Sequence, residues 1–148
     1  MSFEDNLKIE RYKLVTNRQK YFTELTRDVF ASYMKIFTAL AVAGITLVSA
    51  KSQLSIPPKL LFPILNGILW LITFLGISAI GQIIFCLCRW KGYRRAEKEI
   101  NPLSPEIKSW WWVFEGLYCL AIVISIIAVW CISSNISSII RELAKVSK

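Results

Sequence analysis

Three long apolar blocks, at residues 29–50, 61–89 and 110–133, constrain what this chain can become more than any other feature. A bilayer's hydrocarbon core is roughly 30 Å thick, and about 20 helical residues cross it. Each block meets that length. No water reaches the backbone inside lipid, so every N–H and C=O must be satisfied within its own segment, which makes each block a helix. The middle block would need about 40 residues to pass twice, so it reads as one tilted helix. The composition agrees: 55% of the 148 residues are hydrophobic, against roughly 45–50% in soluble domains. The expected fold is an all-α integral membrane protein with three transmembrane helices.

Residues 1–28 extend the first span. Leu14, Val15, Tyr21, Phe22, Leu25 and Val29 recur on one helical stripe, with charges elsewhere. No Gly or Pro occurs before Gly44. One amphipathic helix continuous with the first span is predicted from about residue 4 to about residue 50. Residues 51–60 form a short turn, and the second span is expected to start at about Pro58, because proline suits a first helical turn. Residues 90–109 read as a basic polar loop broken by Asn101-Pro102, with Ser104-Pro105-Glu106 opening the third helix. Trp90, Trp110, Trp111, Trp112 and Trp130 sit where headgroup belts should lie. Residues 134–148 continue as an amphipathic extension. Its seam, Ile132, Ile136, Ile139, Leu143 and Val146, steps by 4, 3, 4 and 3, a pattern for either an interfacial helix or self-association.

The net charge of +8 is a topology signal before it is a nucleic-acid signal. Residues 1–28 carry six Lys/Arg against five Asp/Glu, and residues 89–108 carry six against three. The first turn and the tail together hold five Lys/Arg. Basic residues mark the cytoplasmic side, so the N-terminus is expected inside and the C-terminus outside. The basic face is suited to anionic lipids, and nucleic acid is not an expected partner. The first block starts behind Lys8, Arg11, Lys13, Arg18 and Lys20 without a small-x-small cleavage pattern, so the spans are the expected anchor.

Catalysis finds few materials here. The chain has no histidine, and its aspartates are Asp5 and Asp28. The usual acid–base and metal constellations cannot be assembled from that set. No P-loop, dinucleotide turn or nucleophile elbow occurs. Cys86, Cys88, Cys119 and Cys131 lack zinc-ligand spacing and read as small packing residues. A non-enzymatic chain without a cofactor is expected.

Polar residues inside the spans are the informative ones. Lys35, Gln82 and Glu115 fall at a similar depth on the three helices, counted from the basic side. A charge in lipid costs at least a few kcal/mol unless it snorkels, pairs or meets water. All three readings stand: snorkelling, a Lys35–Glu115 pair braced by Gln82 within or between protomers, and a ring lining a water-filled path. Ala39, Ala43, Gly44, Gly76, Ala79 and Gly81 would let helix backbones approach closely.

A chain so built is expected to act by assembling. One reading is a homo-oligomeric pore or membrane-perturbing effector. The other is an accessory or scaffold subunit whose N-terminal helix and basic loop dock a cytoplasmic protein. A charged amphipathic lead helix followed by a few spans, without a catalytic domain, resembles the small bacterial membrane effectors of antiphage defence operons. It is similar also to holin-like phage proteins. The likeness lies in architecture, without a shared motif, and implies a place in the bacterial inner membrane.

Overall fold

The computed structural model is all helical, with α1 at Phe3–Leu54, α2 at Pro58–Ile100 and α3 at Trp111–Val146. Residues 3–54, 58–102 and 111–146 are described, with side chains over 4–49, 60–102 and 113–135. All three helices are long and apolar enough to cross a membrane.

Uninterrupted sequence explains the 52 residues of α1, about 78 Å at 1.5 Å each. Glu4 and Asp5 occupy its first turn, where acidic groups complement the helix dipole. Thr16, Thr23, Thr26, Thr38 and Thr46 each donate a hydroxyl hydrogen bond to the carbonyl four residues back, at 2.8–3.1 Å. A β-branched polar residue is thereby satisfied without leaving the helix, even inside lipid. α2 begins at Pro58, as its first-turn proline predicts.

α2 runs past Arg89 to Ile100, through residues expected in the basic loop. Gly92 is the one weak former there, at about 1 kcal/mol relative to Ala. Stacking of Tyr93 on Phe22, with centroids 5.8 Å apart, works against that cost. The helix stops where proline dictates: Asn101 N–H bonds Glu97 C=O at 2.8 Å, and Pro102 follows. α3 continues as one helix from Trp111 through Trp130 to Val146.

α1 and α2 pack antiparallel along most of their length, with α3 against them. The central helix is α2. Of its apolar window 28% is buried, against 6% in α1 and in α3. The core is Tyr33, Ala79, Ile83 and Ile122, bordered by Phe30, Phe37 and Ile126. Gly76 is a point of close approach: a Cβ there would stand 2.6 Å from Ile126 Cδ1. Val15 is the first buried residue of α1. Residues 4–14 before it all carry exposed side chains, Leu7 and Tyr12 included.

Candidate functional site

Polar groups that a lipid-facing helix should not carry gather in one crevice between α1 and α2. Asp28 and Ser32 come from α1, spaced four apart, and Ser78 and Gln82 from α2, also four apart. That spacing puts each pair on one helical face. The crevice holds about 290 Å³, its remaining walls are mostly apolar, and no α3 residue lines it. Gln82 Nε2 reaches Ser78 Oγ at 3.5 Å, and both side chains are exposed. The face needs a polar neighbour or water.

Within one protomer Lys35 and Glu115 form no ion pair among the described residues. Lys35 is exposed on α1. Glu115 is half-buried on α3, and its Oε2 is enclosed without a hydrogen-bond partner. Gln82 belongs to the crevice. The small residues divide. Gly76 and Ala79 are packed inside, whereas Ala39, Ala43 and Gly81 are exposed. Gly44 is half-buried, and the space where its Cβ would stand is empty.

Trp130 donates from Nε1 to Thr73 Oγ1 at 3.0 Å and meets Trp70 edge-on at 5.7 Å. Trp90 lies under the Arg94 guanidinium at 5.7 Å. Trp110 and the side chains of Trp111 and Trp112 lie outside the described residues, as do those of Ile136, Ile139, Leu143 and Val146 and the segment Ser104-Pro105-Glu106. Ile132, the first seam position, is exposed.

Two polar contacts went unanticipated. Tyr33 Oη and Ser125 Oγ meet at 2.7 Å, and Ser125 also donates to Ile122 C=O at 2.7 Å. The signal was a lone serine in the apolar run of α3. Beyond the apolar block of α2, Gln19 Nε2 donates to Glu97 Oε2 at 2.7 Å, and Arg94 pairs with the same oxygen. Burial raises the Glu97 carboxyl. The hydrogen bonds from Gln19 and Arg94, and the Arg94 charge, more than offset it and hold the group below its ordinary range. Arg94 three residues before Glu97 on a helix was legible; Gln19 as its third member was not.

All four cysteines are free thiols. Among the described residues no group of three or more His, Cys, Asp or Glu stands ready to hold a metal. Comparison with family models, with curated proteins and with solved structures finds no match.

Proposed function

We propose that the chain works as a homo-oligomeric membrane pore or membrane-perturbing effector, with the α1–α2 crevice turned toward neighbouring copies or a water-filled path. The observation that carries this reading is Ser32, Ser78 and Gln82 gathered on one face that no α3 residue lines, with Asp28 at the edge of the first apolar block. Polar side chains facing hydrocarbon are costly. Copies arranged around an axis would bring these faces together and remove the cost. Twelve Lys/Arg in residues 1–28 and 89–108 against five beyond the other ends of the spans support an N-inside, C-outside orientation in a bacterial inner membrane. The basic side would then meet anionic lipids. An antiphage-type effector fits this plan, because such a protein needs membrane disruption and no catalytic domain.

The test is purified protein in liposomes, read by dye release and by particle mass. A defined oligomer that releases dye, with release reduced by Ser32→Leu plus Gln82→Leu, is expected. A monomer that leaves vesicles sealed would refute it. A second reading, a scaffold subunit docking a cytoplasmic protein, is favoured by the exposed Leu7, Leu14 and Tyr21, seven residues apart on the first half of α1. That reading expects harmless expression and loss of the protein when its partner is missing.

A further inference from the structure

α1 and α3 touch in the half of the bundle nearer the start of α1. There Phe30 and Tyr118 stack at 4.5 Å, and Tyr33 meets Ser125 at 2.7 Å. Further along, a cleft of about 700 Å³ lies between them, with α2 contributing to its walls. Gly44 and Val48 line it from α1, Leu65 and Ile72 from α2, and Val129 and Ile132 from α3. Ser49 and Ser133 also line it, at the ends of their apolar blocks. That is the level where an acyl chain joins its polar headgroup.

Something apolar has to fill this space. Its walls are mostly apolar, with Asn66, Ser49 and Ser133 as the polar exceptions, and leaving it empty would forfeit the dispersion contacts of the lining. Along α2 the lining runs from Leu61 to Ile72, about 17 Å at 1.5 Å per residue. That is just over half of a hydrocarbon core roughly 30 Å thick, or one leaflet. α3 continues as helix to Val146, which carries the chain onward instead of back into the gap.

We infer that the cleft is a lipid site, holding an acyl chain of a phospholipid from the leaflet farther from the start of α1. The inference depends on the helices spanning a bilayer and not on the pore reading. Gly44 provides the handle, because it lines the cleft and a Cβ built there meets no atom within 4 Å. Gly81 provides the control: its Cβ position is equally open, and it does not line the cleft. The full chain is extracted from phosphatidylcholine–phosphatidylglycerol vesicles into mild detergent and weighed by native mass spectrometry. Wild type, Gly44→Ala and Gly81→Phe should retain about one phospholipid per chain, and Gly44→Phe should lose it. Brominated acyl chains give a second readout, quenching tryptophan fluorescence in wild type more than in Gly44→Phe. Circular dichroism verifies that each variant keeps its helices. Equal lipid retention by Gly44→Phe and wild type overturns the inference. So does a wild type that carries no lipid, or a Gly44→Phe change that alters only the number of copies, which would mean a second chain fills the cleft.

Discussion

Gly76 fixes how closely α3 approaches α2, and enlarging it should have a cost that depends sharply on size. A methyl group there would stand 2.6 Å from Ile126 Cδ1, 3.2 Å from Ile122 Cγ2 and 3.3 Å from Ile126 Cγ1. Ordinary carbon contact is about 3.5–4.0 Å, so the first atom must retreat by about 1 Å. Cδ1 is the flexible end of a half-buried side chain and can swing aside. Overpacking costs about 1–3 kcal/mol, here at the lower end because Cδ1 can move, and alanine returns about 1 kcal/mol of helix propensity over glycine. Gly76→Ala should therefore destabilise by no more than about 1 kcal/mol. Leucine has no such escape, because its extra carbons meet Ile122, which is fully buried. Gly76→Leu should lift α3 from α2 and cost more than about 3 kcal/mol. Ile126→Val removes the clashing Cδ1, so it should rescue Gly76→Ala by about 1 kcal/mol in a double-mutant cycle. The assay is SDS titration of the full chain in mixed micelles, followed by tryptophan fluorescence, to which Trp70 and Trp130 at the α2–α3 contact contribute. Equal losses for alanine and leucine, or strict additivity with Ile126→Val, would refute this account of the contact.

Glu97 makes the end of the α1–α2 pair acid-sensitive in a defined window. Its carboxyl is held below the usual range, so its contribution is complete above the unfolded value of about 4.3 and is lost as pH falls through the depressed one. Amide protection factors over residues 93–100, corrected for the intrinsic pH dependence of exchange, should stay flat from about pH 8 to 5 and fall below about 4, and Glu97→Gln should abolish that step. Tyr33→Phe and Ser125→Ala should each cost about 0.6–1.7 kcal/mol in the same SDS titration, and the double change little more than one alone. Losses that simply add would mean the hydroxyls act independently. Lys35→Leu or Glu115→Leu alone should weaken assembly more than the two together, measured as oligomer mass in nanodiscs. A double variant no better than either single one removes a Lys35–Glu115 contact between copies.

Hydropathy and breakers foretold the number of helices, the unbroken lead into α1 and the start of α2 at Pro58, because those depend on local chemistry. The end of α2 was misplaced because Gly92 and a run of charges look like loop when the partner helix is not considered. Phe22 and Gln19, more than 70 residues away, supply the contacts that extend it. The small residues show the same limit. Gly76 and Gly81 are alike in isolation, yet one lies against Ile126 and the other faces open space. A small side chain permits close approach without saying which neighbour will use it. Counting along the sequence predicts a common depth for Lys35, Gln82 and Glu115, but it cannot give their rotational positions. Asp28, Ser32 and Ser78 came together with Gln82 only once the α1–α2 register was known.

The buried knot around Tyr33 also sets the mechanics of α1. From Phe3 to Ala43 the helix contains no glycine or proline, so no kink is built into that stretch. Tyr33 divides α1 into an arm of about 45 Å toward Phe3 and an opposite arm of about 32 Å toward Leu54. Gly44, beside the cleft, lies on that opposite arm.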